Sequence, residues 1–158
     1  MNFLPICIRI ADRKVLIVGG GKIALQKLQT LLLYTRDVLV RAPEVAPEIA
    51  LSGIAIDGQP YGSECLEGIG LVFACTNDPA VNRRVVWDAR ARGILVCSAD
   101  DPEACDFVSP AIFKEGHMSI AVSSDARDVK KAISWRNSIR RLLLGSDSNR
   151  RWETINRI

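Results

Sequence analysis

Histidine is almost absent from this chain: His117, in the run Gly116-His117-Met118, is the only one. Metal sites draw several ligands together at short spacing, so a lone histidine reads as a turn residue rather than a metal ligand. The five cysteines, Cys7, Cys65, Cys75, Cys97 and Cys105, are odd in number and include no C-x-x-C pair. They read as reduced core residues, and structural zinc is not expected. Long apolar runs are missing too, and none approaches the ~18 residues of a membrane span. The opening Met1-Asn2-Phe3-Leu4-Pro5 has no basic segment of the kind that begins an export signal, which predicts a cytoplasmic location.

What is present is ordinary in amount and uneven in distribution. The 158 residues are 48% apolar and 25% charged, which suits one compact domain with a small appendage. Residues 1–126 carry 12 Lys and Arg against 15 Asp and Glu, whereas residues 127–158 carry 9 against 3. The net charge of +3 therefore belongs to the tail, and an anionic partner is to be sought there. No nucleic-acid recognition motif accompanies that charge, so no nucleic-acid partner is expected.

The apolar pattern alternates between strands and helices. Ile6, Ile8 and Ile10 recur at a spacing of two and predict an edge strand over Phe3 to Ile10, with Pro5 near its start. Lys14-Val15-Leu16-Ile17-Val18 has the unbroken aliphatic texture of a strand buried on both faces. Three glycines follow, and Ile23, Ala24, Lys27, Leu28, Leu31 and Leu32 then recur at helical spacing. Further strands are expected at Asp37 to Val40, Gly53 to Asp57, Leu71 to Cys75 and Ile94 to Cys97. A helix from Pro79 to about Arg92 is capped by Asn77 or Asp78 and ended by Gly93. This alternation specifies a parallel sheet with right-handed crossovers. After Pro102 the texture changes to two strands, Phe107 to Phe113 and Met118 to Val122, and a basic helix from Val129 to Leu144. That helix places Ala132, Trp135, Ile139 and Leu142 along one stripe. Gly145-Ser146-Asp147-Ser148 is expected to break it.

Gly19-Gly20-Gly21-Lys22-Ile23-Ala24 fits G-x-G-x-x-A, directly after a buried strand and at the start of an amphipathic helix. Gly19 permits the tight turn, Gly21 lets backbone amides approach a pyrophosphate, and Ala24 lets the helix pack closely on its strand. The phosphates then meet a positive helix N-terminus with unpaired N–H donors. At the end of the second strand Arg41 stands where NAD-specific sites often place an acid. It suits either a 2′-phosphate or plain solvation, which leaves NAD and NADP both open. Ala74-Cys75-Thr76-Asn77-Asp78 lies beside the crevice where such sheets bind ligands, and small residues there admit a cofactor. Asp100-Asp101-Pro102 points into the same crevice, either as a proton acceptor beside the reacting ring or as an acidic turn before proline.

Leu4-Pro5, Val15 to Ala24, Ala42-Pro43-Glu44, Ala74-x-Thr76-Asn77-Asp78 and Asp100 through Pro110 together resemble the precorrin-2 dehydrogenase domain of siroheme synthases. The resemblance covers roughly residues 1–125. It implies an α/β chain: a Rossmann-type parallel sheet with helices on both faces over residues 1–111, then a small α+β dimerisation segment over 112–158. It implies NAD as cofactor, held by Gly19, Gly20, Gly21, Lys22, Ile23, Ala42, Pro43, Glu44, Thr76 and Asn77, with Asp100 as the catalytic acid/base. The implied reaction oxidises precorrin-2, a tetrapyrrole, to sirohydrochlorin in a homodimer. Some members also insert ferrous iron, for which no compact ligand set is evident here. The chain departs from the family pattern at Cys97, where asparagine is usual. It departs again at Ser123-Ser124-Asp125-Ala126-Arg127-Asp128-Val129, which replaces Ser-x-Gly-Gly-x-Ser-Pro. A non-catalytic NAD(P)-binding module that regulates or scaffolds a tetrapyrrole enzyme is the alternative expectation.

Overall fold

The computed structural model describes residues 2–144, which fall into two compact units, one over Phe3–Val108 and a second that begins at Ser109. The first is built on five parallel strands: β1 (Lys14–Val18), β2 (Val38–Arg41), β3 (Ala55–Asp57), β4 (Ile69–Ala74) and β5 (Leu95–Ser98). Their order is β3-β2-β1-β4-β5, so the chain reverses its direction of travel across the sheet between β1 and β4. Helices α1 (Lys22–Leu31), α2 (Pro47–Ala50) and α3 (Pro79–Ala91) and two 3-10 turns connect the strands.

Alternate side chains of the central strands feed two separate cores. Val15, Ile17, Phe73, Cys75 and Cys97 pack with Ala24, Leu28 and Leu31 of α1. Leu16, Val18, Val72, Ala74 and Val96 pack with Val85, Val86 and Ala89 of α3. This is why β1 shows no polar alternation: Leu16 and Ile17 face opposite ways and both are fully buried, each stabilising the fold by about 1.5–3 kcal/mol. Local signals set the limits of α3. Asp78 Oδ1 accepts the Ala80 N–H at 2.8 Å, and Pro79 occupies the first turn. At the other end Gly93 takes a φ of +68°, and the Gly93 and Ile94 amides return to the Arg90 and Ala89 carbonyls.

Several expectations are corrected. Residues 2–10 form no strand, and Ile6 is 69% exposed. A period-two pattern needs a neighbouring strand, and the sheet closes with β3 and β5 at its edges, neither pairing with this segment. β2 runs one residue further than expected, so Arg41 lies inside the ladder opposite Asp57. Phe107 belongs to no strand; its ring packs edge-on against Phe73 with centroids 5.3 Å apart. The stretch before β4, for which the sequence predicts no element, contains a 3-10 turn, Ser63–Leu66, anchored by the buried Leu66.

The second unit is an antiparallel hairpin of β6 (Ala111–Glu115) and β7 (Met118–Val122) with helix α4 (Val129–Leu144) packed on it. Arg136 donates to the Ile112 carbonyl at 3.0 Å, tying the helix to β6. The expected apolar stripe divides: Ala132 is buried, while Trp135 is 58% and Leu142 85% exposed. The break expected at Gly145 to Ser148 lies outside the described residues. Among the described residues no helix is long and apolar enough to cross a membrane.

Candidate dinucleotide site and its carboxylate

The strand register brings the site together. Arg41, Val18, Ala74 and Ser98 form one row across the carboxyl ends of β2, β1, β4 and β5. The next residues extend it: the Gly19 amide donates to the Arg41 carbonyl, Cys75 to Val18 and Ala99 to Ala74. Thr76 and Asp100 therefore stand one residue above that edge, at the reversal point where such sheets take ligands.

The three glycines meet different surroundings. A Cβ at Gly19, whose φ is +113°, would strike the Cys75 carbonyl and the Thr76 amide. A Cβ at Gly20 would strike the Glu44 carbonyl and the Val45 Cα, because this loop lies against the turn and Ala46 donates to the Gly20 carbonyl at 2.8 Å. A Cβ at Gly21 would meet nothing within 4 Å. The protein needs glycine at the first two positions for its own packing, whereas the space beside Gly21 is open to a ligand. No side chain caps α1, so its first amides remain available to an anion. Lys22 and Ile23 are exposed at that end, and Pro43 and Glu44 are exposed on the adjoining loop. Ala42 is 5% exposed and its amide is spent on the Asp57 carbonyl, so it lines the site by being small. These residues fit a dinucleotide with its pyrophosphate over Gly21.

Arg41 takes no part in that cradle. Its guanidinium pairs with Asp57 and Glu64 at 2.6 Å each and donates to the Pro60 carbonyl at 2.8 Å. Two carboxylates neutralise it, so it offers nothing to a 2′-phosphate, and NAD is the dinucleotide that matches.

At the β4 end Thr76 is held by Asn82, which the sequence reading did not single out. The Thr76 amide donates to Asn82 Oδ1 at 3.1 Å, its hydroxyl lies 2.8 Å from the same oxygen, and Asn82 Nδ2 donates to the Thr76 carbonyl at 3.1 Å. Asn77 is exposed beside it. The two aspartates after β5 divide their duties. Asp101 caps a short 3-10 turn by accepting the Glu103 and Ala104 amides. Asp100 is left facing the crevice with the Ser98 hydroxyl donating to it at 2.7 Å. Partial burial pushes the Asp100 carboxyl up, but the hydrogen bond from Ser98, with the polar Asn82 and the Arg83 cation nearby, outweighs it and holds the group below the usual carboxylate range. Asp100 is thus a carboxylate at neutral pH, able to accept a proton and not to supply one. Cys97, where the family usually has asparagine, packs in the core 3.9 Å from Cys105. Among the described residues no cluster of three or more His, Cys, Asp or Glu is arranged to hold a metal ion.

A parallel sheet with this order, a glycine turn cleared for phosphate and an uncapped helix behind it define a Rossmann-type dinucleotide-binding protein. A family model described as "Putative NAD(P)-binding" matches residues 6–111. The siroheme synthase of Chromobacterium violaceum is 35% identical, with 98% of this chain and 39% of that protein aligned. That of Methylobacillus flagellatus is 39% identical, over 78% of this chain and 27% of that protein. Among solved structures, SirC, a precorrin-2 dehydrogenase, superposes with a TM-score of 0.76 at 26% identity, covering 87% of this chain and 69% of that one. The chain belongs to the precorrin-2 dehydrogenase/siroheme synthase N-terminal family. It spans less than half the length of these siroheme synthases.

Proposed function

We propose that this chain oxidises precorrin-2 to sirohydrochlorin with NAD, on the route to siroheme, as a cytoplasmic homodimer. One observation carries the reading: an ionised Asp100 stands on the same sheet edge as the glycine turn, in a chain of the family that includes SirC. The reaction removes two hydrogens from the tetrapyrrole, one as hydride and one as a proton. Bound NAD supplies the hydride acceptor. The glycine turn and α1 amides hold the pyrophosphate, the Thr76 loop borders the reacting end, and Asp100 takes the proton and returns it to solvent. A low carboxyl pKa makes Asp100 a weak base, so its contribution is position and charge as much as basicity. Trp135, Leu142 and Leu143, all more than half exposed on α4, support pairing of two chains.

A second reading, a module that binds NAD without turnover, is favoured by Asp125 and Asp128, two carboxylates in a segment where the family pattern has none. Anaerobic incubation with precorrin-2 and NAD, followed by sirohydrochlorin absorbance, separates the two. Turnover is expected, and Asp100→Asn is expected to slow it by about 10²–10⁴-fold with NAD still bound. Tight NAD binding by the wild type without turnover selects the module instead. Equal rates for wild type and Asp100→Asn show that the proton leaves by another route.

A further inference from the structure

β2 ends on Arg41, the position from which NAD-specific sheets of this kind reach the 2′-hydroxyl of the adenosine ribose with an acid. An arginine near that position accommodates the 2′-phosphate of NADP instead. Here three fixed partners withdraw it from that use. Its Nη1 donates to Asp57 Oδ2 and its Nη2 to Glu64 Oε1, both at 2.6 Å, while Nε donates to the Pro60 carbonyl at 2.8 Å. The side chain is only 11% exposed, so the guanidinium is held rather than solvated. Each carboxylate is itself placed. Asp57 lies opposite Arg41 in the ladder, and its other oxygen accepts the Gln59 amide at 3.1 Å. Glu64 belongs to the 3-10 turn anchored by Leu66, and its carboxylate folds back over Gly62, where a Cβ would collide with both oxygens. Gly62 has extended backbone, φ −138° and ψ 148°, which any residue adopts. Its missing side chain therefore makes room for the Glu64 carboxylate and serves no turn of its own.

Two carboxylates against one guanidinium leave this cluster with a net negative charge of one, the same as the single acid of an NAD-specific site. A ribose hydroxyl can donate to such a cluster. A 2′-phosphate, with a charge of about −1.5 to −2 at pH 7, is repelled by it. We propose that Asp57 and Glu64, acting on Arg41, are the residues that make this chain select NAD over NADP. Glu64 is the part that can be removed: its side chain is 67% exposed, against 33% for Asp57. The proposal rests on the dinucleotide lying over the glycine turn, and it is independent of turnover of precorrin-2. A clamp that only pinned residues 58–64 to the sheet would change stability and leave the choice of dinucleotide unaltered.

Calorimetric titration of the full chain with NAD and with NADP tests this. The wild type is expected to favour NAD by about tenfold or more. Glu64→Gln keeps the size and a hydrogen-bonding oxygen but makes the cluster neutral, so the ratio of NADP to NAD affinity should rise by about tenfold. That gain should shrink as salt is raised from about 0.05 to about 0.5 M, which a purely structural change would not do. Adding Arg41→Met to Glu64→Gln should abolish the gain, because the phosphate then has no guanidinium to meet. Should Glu64→Gln fail to fold, Gly62→Ala, which displaces the carboxylate without removing it, should raise the ratio by a smaller factor. An unchanged ratio in folded Glu64→Gln, or in Gly62→Ala when Glu64→Gln does not fold, overturns the proposal. So does a wild type that binds both dinucleotides equally, or a gain that persists without Arg41. A chain that selects NAD but never oxidises precorrin-2 defeats the functional reading alone; one that binds neither dinucleotide defeats both.

Discussion

At Gly19 and Gly20 an added methyl would strike backbone atoms that belong to other loops, whereas at Gly21 it would stand in open space. The difference separates stability from binding within one tripeptide. Gly20→Ala should destabilise the fold by about 1–3 kcal/mol, since neither the Glu44 carbonyl nor the Val45 Cα can yield without moving the loop. Gly21→Val should leave the denaturation midpoint nearly unchanged yet lower NAD affinity on the order of 10²-fold, about 2.7 kcal/mol. Calorimetry and denaturant unfolding on both variants check the pair. A folded Gly21→Val that binds NAD like the wild type would remove the pyrophosphate from this turn. The G-x-G-x-x-A spacing was legible in the sequence, but which glycine serves the protein and which the ligand was not. That depends on Glu44, Val45 and Cys75, which reach the turn from the segments after β2 and β4. Arg41 makes the same point. Its position beside the cofactor was readable, and its neutralisation by Asp57 and Glu64, 16 and 23 residues on, was not.

Among the elements, the turn before α4 carries the clearest sign of strain. Asp125 and Ala126 adopt φ values of +51° and +59°, the left-handed region that disfavours side chains. They stand in the segment where the family pattern has Gly-Gly, residues that take the left-handed region without cost. The turn is held by Ser124, whose carbonyl accepts the Arg127 amide and whose hydroxyl accepts that of Asp128. Asp128 in turn caps α4 by accepting the Lys131 amide at 2.8 Å. Ala126→Gly should therefore stabilise the chain by about 0.5–1 kcal/mol, because relief of the left-handed alanine outweighs the added freedom of glycine when unfolded. A raised denaturant midpoint with an unchanged slope is the expected result; a lowered one would mean that the turn is not left-handed in solution. The loss of glycine was visible in the sequence and read as a departure from the family. Only the dihedral angles show that the two residues in their place are left-handed.

For the whole molecule, α4 carries the densest group of exposed large apolar side chains, five of the thirteen among the described residues. Trp135 at 58%, Leu142 at 85% and Leu143 at 62% exposure form a costly surface for an isolated chain in water. Two-fold pairing is the commonest way to cover such a face. Leu142→Asp, at a residue that contributes nothing to the packing on the hairpin, should convert a dimer into a folded monomer in light scattering. A wild type that stays monomeric at tens of micromolar concentration would rule out a stable homodimer. Ala132 is the wrong place for this test, since it is buried on the chain's own hairpin and a change there would report folding rather than association.

Sequence alone determined the features whose physics is local. The unbroken aliphatic run of β1, the Pro79 start and Gly93 stop of α3, and the start of α4 follow from neighbours a few residues apart. Caps, turn glycines and periodicity act over that range. Tertiary structure decided whatever depended on a partner distant in the chain. Ile6, Ile8 and Ile10 carry a strand's alternation, yet no edge accepts them, and residues 2–10 remain unpaired in the sheet. Of two adjacent aspartates, Asp101 was taken by the turn that follows and Asp100 was left for the crevice.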